Sequence, residues 1–339
     1  MTRIAINGLG RVGRLLIRRF CEQPNDSIEL VAVNDISAAD SLLYLLKFDS
    51  VHGRFKGQIS IHKGQLEVAG HSIEILSEAD VSLLPWSKLA IDVVIDCTGL
   101  CRSREDAQKH LQAGARKVLV SAPVKAADCT LVLGVNEGKY DSKHHDIISN
   151  ASCTTNSLAP PLKILSDSFG IEAVLATTVH AYTISQSLAD KVKDKMIQGR
   201  AGAINIIPTS TGADVATVEV LPELEGRIGV TALRVPVANG SITDINAVLT
   251  NKVTVEDVNS ALKCAAEKEM RGILEYSDEA LVSTDIIGDT HSAIIHAQST
   301  RVIQDKIVKI QSWYDNEYGY VCRLLDTVHL IGKTLDSDS

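Results

Sequence analysis

Aromatic side chains are scarce in this sequence: four Phe, two Trp and seven Tyr make up 4% of 339 residues. The core must therefore be built mainly from Val, Ile, Leu and Ala, which favours strands alternating with helices. Long apolar runs are also missing. None approaches the roughly 18 residues that a membrane-spanning helix needs, and no apolar leader precedes the first strand-like stretch, RIAING. No Lys/Arg run appears, and the net charge is −8. Nucleic acid and anionic membrane surfaces are thereby removed as obvious partners. The cysteines (Cys21, Cys97, Cys101, Cys129, Cys153, Cys264 and Cys322) form no CxxC pair, and seven is an odd number. In a chain this long that argues against a secreted disulfide framework. Together these absences lead us to expect a soluble cytoplasmic protein that draws any anionic substrate by a local site, because its overall field repels anions.

The length allows two domains or one large α/β unit. The first half alternates in βα fashion. RIAING (3–8) and IELVAVND (28–35) read as strands, with the amphipathic RVGRLLIRRFCEQ between them and the helical SAADSLLYLLKF after them. IDVVIDCTG (91–99), RKVLVSAP (116–123) and HDIISNAS (145–152) are short apolar runs of the kind buried in parallel sheets, with REDAQKHLQAGA as a connecting helix. The second half changes character. IEAVLATTVHAYT, GVTALRVPVAN and TDINAVLTN are longer and Val/Thr-rich, which predicts an antiparallel or mixed sheet. TVEDVNSALKCAAEKEM carries a helix-start signal at its Thr. The polar segment from Gln186 to Arg200 reads equally as a long loop or a poor helix.

INGLGRVGR holds Gly8, Gly10 and Gly13 in GxGxxG spacing, after a strand and opening a helix. The first glycine suits a tight turn, the second a close approach of backbone to a pyrophosphate, and the third helix–strand packing. Asp35 ends the second strand, at the place where a carboxylate accepts hydrogen bonds from an adenosine ribose and repels a 2′-phosphate. A glycine-tight turn beside a turn aspartate is the structural alternative, but the context favours a Rossmann-type NAD site.

NASCTTNS, residues 150–157, sets Cys153 among small hydroxylic residues just before an apolar helix-like run. A thiol near its ordinary pKa of ~8.5 is only a few per cent thiolate at neutral pH. A helix N-terminus or a nearby imidazolium lowers that pKa. Cys153 is placed for the first effect, and His180, ending VLATTVHAYT, is the candidate base and later acid. Most lone cysteines are small core residues, and Cys97 and Cys264 read that way. The polar neighbours of Cys153 favour a nucleophile.

With these residues the chain resembles phosphorylating glyceraldehyde-3-phosphate dehydrogenases over essentially its whole length. INGLGRVGR, FDSVHG, DCTG, SNASCTTN, TTVHAYT, NIIPTSTGA, LRVPV and WYDNEYGY occur in that family's order. The resemblance implies NAD-dependent oxidative phosphorylation of D-glyceraldehyde 3-phosphate to 1,3-bisphosphoglycerate through a Cys153 thioester, with His180 activating the thiol. It implies a Rossmann-type doubly wound domain at residues 1–151, completed by a C-terminal helix at 317–336. An α+β catalytic domain on a mixed or antiparallel sheet would occupy residues 152–316. Arg11, Val12, Ser121 and Asn316 join Gly8, Gly10, Gly13 and Asp35 as implied NAD contacts. Thr183 and Arg234 match the family's substrate-phosphate site; Ser152, Thr154, Thr211 and Gly212 match its inorganic-phosphate site. No metal is implied, and a homotetramer is.

The departures are local. Ser157 stands where the family's second cysteine usually does, and Gly240 replaces a common Val, which suggests a loosened strand. The loop after HAYT diverges most, with DKV and IQGR for the usual DGP and RGGR; in the family it lines the adenosine side and neighbouring subunits. Erythrose-4-phosphate dehydrogenase is the nearest alternative, but its members usually lack the threonine matched here by Thr183. A catalytically silent binding paralogue is the other alternative, and retention of Cys153, His180, Arg234 and Asn316 together speaks against it.

Overall fold

Ile4, Ala5 and Ile6 are all inaccessible to solvent. The computed structural model of the chain shows why: their strand, Thr2–Asn7, lies inside a nine-stranded sheet. The structure describes residues 1–23 and 27–337. It divides into two compact units, one taking residues 1–131, 137–151 and the segment from Val321, the other residues 132–136 and 152–320.

In the first unit, Thr2–Asn7 pairs in parallel with Ile28–Asn34 on one side and Val93–Asp96 on the other. Parallel pairing continues outward to His71–Leu76 on the first side, and to Lys117–Val120 and Ile147–Ser149 on the second. Chain order therefore reverses beside the first strand. A crevice forms at the carboxyl ends of the strands there, the place where doubly wound sheets bind ligands. Helix Arg11–Glu22 follows the first strand, and Arg104–Gln112 begins with a reciprocal cap between Ser103 and Asp106. The far edge is an antiparallel meander, His71–Leu76 on Gln65–Val68 on Ile59–His62, which the sequence reading did not anticipate. Its turns put Lys63–Gly64 and Ala69–Gly70 at positive φ, as tight primed hairpin turns require. Neither turn carries the Asn-Gly or Asp-Gly pair that usually announces one. The last helix runs Tyr318–Ser337, and Thr327 on it donates to the Asn150 side chain at 2.8 Å within this unit.

The second unit is built on a mixed eight-stranded sheet. Ile171–Ala181 runs parallel to Ile228–Val235 and antiparallel to Ser241–Leu249, which pairs with Ile307–Tyr314. Along Ile171–Ala181 the even positions Val174, Ala176, Thr178 and His180 are buried, while Leu175 is 72% exposed. This period-2 alternation is expected of a sheet covered on one face. Helix Cys153–Phe169 packs on this sheet, and the reciprocal cap of Thr254 and Asp257 starts helix Val255–Glu267 as the sequence predicts. One expectation needs correction. Cys264 is exposed on that helix rather than packed in a core, because it falls on the solvent side of the helical repeat. Residues 186–200 form a loop holding one short 3-10 turn, Met196–Gly199.

Candidate active site

Gly8 has φ +92, and a Cβ there would lie 2.7 Å from the Thr98 nitrogen. A Cβ on Gly13 would lie 2.1 Å from the Gly8 oxygen, whereas one on Gly10 would meet nothing within 4 Å. Packing thus dictates the first and third glycines. The second opens onto a groove of about 480 Å³ lined by Asn7, Gly8, Gly10, Asp35, Asp96 and His110, among others. That opening is a cradle a Cβ would fill, and it suits close approach of a pyrophosphate. Gly10 also begins helix Arg11–Glu22, which carries no side-chain cap and points its positive end at the turn.

Asp35 holds the turn from the next strand. Its carboxylate accepts from the Leu9 N–H at 2.7 Å and the Ser37 N–H at 2.8 Å. Burial acts to raise its pKa, but these bonds and the charge of Arg14 outweigh it, and the net shift is downward. Asp35 therefore stays ionised where a ribose would lie. Ser121 follows strand Lys117–Val120 and donates its N–H to the Asp96 carbonyl oxygen at 2.9 Å. The Arg11 guanidinium is engaged in a two-pronged pair with Asp49, so its charge is answered within the protein.

In the second unit Ser152 caps helix Cys153–Phe169, its hydroxyl accepting from the Thr155 N–H at 3.0 Å. The preceding Ala151 has φ 54, a left-handed conformation that non-glycine residues seldom adopt. The chain thereby turns sharply enough to put Cys153 at the first helical position. Cys153 Sγ lies 3.6 Å from His180 Nε2. His180 Nδ1 is 2.7 Å from the Ala181 carbonyl oxygen, which can only accept. With the proton on Nδ1, the tautomer that bonds Ala181, the Nε2 lone pair faces the thiol; Arg234 Nη1, which can only donate, competes for the same Nδ1.

Electrostatics correct one expectation here. The sequence reading has the thiol made ionic by an imidazole and a helix end. In the structure, burial raises the Cys153 pKa; the Arg234 charge and hydrogen bonds at the helix start oppose this without overcoming it. Burial, then the Arg234 charge, lower the His180 pKa to about 3. Both groups are therefore neutral at pH 7, a thiol hydrogen-bonded to a basic nitrogen rather than an ion pair, because removing two charges from water outweighs their attraction.

Arg234 lies opposite His180 on the adjacent parallel strand. Its Nη1 contacts His180 Nδ1 and donates to Ala181 O at 3.0 Å, while its buried Nε has no protein partner. Such a donor suits an anion. Thr154 is buried, and its hydroxyl meets Tyr314 Oη at 3.1 Å; Tyr314 also meets the Thr178 hydroxyl at 2.7 Å. Sequence reasoning missed Tyr314, although it belongs to the same WYDNE run that supplied Asn316. Asn316 Oδ1 accepts from the Ser241 hydroxyl at 2.7 Å and the Gly240 N–H at 3.2 Å. Gly240 is no loosening of a strand: it has φ +91, and a Cβ would lie 2.3 Å from the Ser283 oxygen. Asp315 fastens the loop by accepting from Asn239, Gly288, Glu317 and Tyr318.

The other candidates stand apart from this cluster. The Thr183 hydroxyl meets Ser185 at 2.8 Å, and its N–H donates to Gln186 at 2.9 Å. Thr211 accepts from the Ala213 N–H at 3.1 Å, and Gly212 starts helix Ala213–Val220 without a side-chain cap. No hydrogen bond among the described residues joins Thr183, Thr211 or Gly212 to Cys153, His180 or Arg234.

Two family models match the chain. "Glyceraldehyde 3-phosphate dehydrogenase, NAD binding domain" covers residues 2–104, and "Glyceraldehyde 3-phosphate dehydrogenase, C-terminal domain" covers residues 152–316. Curated relatives carrying the name glyceraldehyde-3-phosphate dehydrogenase align over nearly their whole length. That of Geobacillus stearothermophilus is 50% identical over 331 residues, 98% of each chain. That of Priestia megaterium is 49% identical over 329 residues, 97% of this chain and 98% of the relative. That of Thermotoga maritima is 48% identical over 333 residues, 98% of this chain and all of the relative.

Proposed function

The chain belongs to the glyceraldehyde 3-phosphate dehydrogenase family, and from that premise we propose that it catalyses NAD-dependent oxidative phosphorylation of D-glyceraldehyde 3-phosphate. The observation that carries the reading is Cys153 Sγ at 3.6 Å from His180 Nε2. The first unit is the cofactor domain in this reading and the second the catalytic domain.

Sulfur attack on the aldehyde carbon forms the C–S bond while the thiol proton passes to His180 Nε2. The imidazolium so formed, beside the Arg234 guanidinium, is a strained acid and donates readily to the oxygen of the tetrahedral adduct. Oxidation of that adduct, which gives up a hydride to the acceptor and returns the hydroxyl proton to His180 Nε2, leaves an acyl group on Cys153 as a thioester. Inorganic phosphate then attacks the acyl carbon, and Cys153 leaves as a thiolate that is reprotonated at His180. Arg234 and Thr183 bind the substrate phosphate, and Ser152, Thr154, Thr211 and Gly212 the attacking one. NAD supplies the hydride acceptor when bound. The groove at Gly8, Gly10 and Gly13 would hold it, with Arg11, Val12, Asp35, Ser121 and Asn316 as further contacts.

The same reading makes the protein a cytoplasmic homotetramer. No helix among the described residues is long and apolar enough to cross a membrane. Ile184, Val192 and Met196, at 92, 96 and 85% exposure, crowd the divergent loop with apolar surface suited to burial against another copy.

The test is NADH formation from glyceraldehyde 3-phosphate with phosphate or arsenate. Turnover of that aldehyde supports the proposal. Turnover of erythrose 4-phosphate alone, or NAD binding without turnover, overturns it.

A further inference from the structure

Beneath the dinucleotide groove runs a chain of buried hydrogen bonds that the reaction itself does not use. Trp86, His110, Asp96, Asn7 and Asn34 are each 3% exposed or less. Trp86 Nε1–H, which can only donate, reaches His110 Nδ1 at 3.0 Å. The His110 lone pair is thereby fixed on Nδ1 and its proton on Nε2. Nε2–H then donates to Asp96 Oδ2 at 3.2 Å. The same oxygen accepts from Asn7 Nδ2 at 2.8 Å, and Asp96 Oδ1 accepts from the Thr98 N–H at 3.1 Å and hydroxyl at 2.7 Å. Asn7 in turn accepts from Asn34 Nδ2 at 2.8 Å, and Asn34 Oδ1 accepts from the Glu78 N–H at 2.9 Å.

The donors converge on Asp96 from two ends, the indole through His110 on one side and the Glu78 N–H through Asn34 and Asn7 on the other. The chain ties the carboxyl ends of three adjacent strands, Val93–Asp96, Thr2–Asn7 and Ile28–Asn34, to the loop holding Glu78. Thr98, which Asp96 anchors, is the residue whose backbone lies against Gly8. Asn7, Asn34, Glu78, Asp96, Thr98 and His110 all line the groove. A shift of Asp96 would therefore move the pyrophosphate turn and the adenosine wall together.

We propose that His110 is a positioning residue for the dinucleotide: by holding Asp96, it sets the shape of the groove and so the affinity for NAD, without touching the reacting atoms. The inference rests on the NAD-dependent reading. Asp96 retains its charge because burial, which acts to raise its pKa, is outweighed by the bonds from His110, Thr98 and Asn7.

The experiment compares His110→Phe, His110→Gln and Trp86→Phe with the wild type by NADH fluorescence titration, thermal melting and steady-state kinetics. His110→Phe removes the donor to Asp96. Loss of one bond to a buried charge is expected to weaken NAD binding by about tenfold, with kcat at saturating NAD within about twofold. His110→Gln places an amide N–H near the former Nε2 and is expected to recover most of the affinity. Trp86→Phe, which frees the tautomer while sparing every groove-lining residue, is expected to weaken NAD binding by about threefold, and it carries the test should His110→Phe fail to fold. The proposal falls if a folded His110→Phe binds NADH like the wild type, or if kcat drops while the KM for NAD stays constant. It also falls if His110→Gln is as weak a binder as His110→Phe. A wild-type protein that bound no NADH would instead overturn the cofactor reading.

Discussion

His180 and Arg234 stand side by side on adjacent parallel strands and present their side chains to one carbonyl oxygen, that of Ala181. Burial, and then the permanently charged guanidinium beside it, hold the imidazole neutral. A neutral imidazole is what a general base must be before it takes the thiol proton. The arrangement also means that an anion arriving at Arg234 changes the electrostatics of both Cys153 and His180.

Arg234→Leu tests that coupling, with the same sign on the two groups. The Arg234 charge lowers the pKa of Cys153 and of His180. Its removal should raise both, so alkylation of Cys153 by iodoacetamide at pH 7 should slow. The His180 resonance should titrate higher by NMR. The KM for the phosphorylated aldehyde should rise about tenfold or more, as expected on losing a charged phosphate donor, whereas an unphosphorylated aldehyde should be little affected. Unchanged alkylation would remove Arg234 from the electrostatics of the thiol.

Cys153→Ser should reduce aldehyde oxidation by about 10³-fold or more, because no other group forms the acyl intermediate. NADH binding, measured by fluorescence titration, should be close to wild type, since the groove lies wholly among first-unit residues. Substantial turnover by the serine variant would be incompatible with a covalent route.

His180 makes acid stability predictable. Its folded pKa is about 3, against ~6.5 when unfolded. Between those values the unfolded chain binds a proton that the folded chain does not. The stability contributed by neutral burial is therefore fully present above pH 6.5 and is lost as pH falls toward 3, with a slope of at most about 1.4 kcal/mol per pH unit. In chemical denaturation from pH 7 to pH 4, His180→Phe should show a shallower loss than the wild type. An identical slope would mean that the imidazole is not buried neutral.

Much of this was legible from residues. GxGxxG followed by Asp35, and SCTTN with a distant HAYT, each name a chemistry, and the first-half strands lie where apolar runs sit between helical ones. What stayed hidden depended on long-range contacts. Whether Cys153 is thiol or thiolate is decided by burial and by Arg234, 81 residues further on, and no local motif encodes that balance. Tyr314 reads as one aromatic in a motif until the sheet brings it to Thr154 and Thr178. The edge meander is built on Lys-Gly and Ala-Gly turns, whose weak local signal is rescued by pairing with His71–Leu76.

Asp35→Ala should relax the cofactor preference. The carboxylate is ionised and would repel a 2′-phosphate, so its loss should narrow the NAD/NADP ratio of kcat/KM by about tenfold or more. It also leaves the buried Leu9 N–H without an acceptor, at a cost of about 1–3 kcal/mol, while the exposed Ser37 N–H turns to water. A melting temperature should accordingly accompany the kinetics. If discrimination persists in a folded variant, the divergent loop at 186–200 sets the preference instead.

Tyr314→Phe separates support from chemistry. The phenol hydroxyl lies between the Thr154 and Thr178 hydroxyls, and burial, then the proximity of Cys153, hold its pKa far above the ordinary value. It therefore stays protonated and acts only as a hydrogen-bonding strut beneath the thiol. Removing it leaves two buried hydroxyls short of a partner, which costs about 1–3 kcal/mol and should lower the melting temperature by a few degrees. Because Thr154 and Tyr314 share one bond, Thr154→Val made in the Phe background should cost less than it does alone, a non-additivity that a double-mutant cycle measures directly. Turnover should fall by less than tenfold with the KM for aldehyde unchanged, since the Tyr314 hydroxyl bonds neither Thr183 nor Arg234 of the substrate-phosphate site. A loss as large as that of Cys153→Ser, with the fold intact, would instead put the Tyr314 hydroxyl among the groups that handle protons in the reaction.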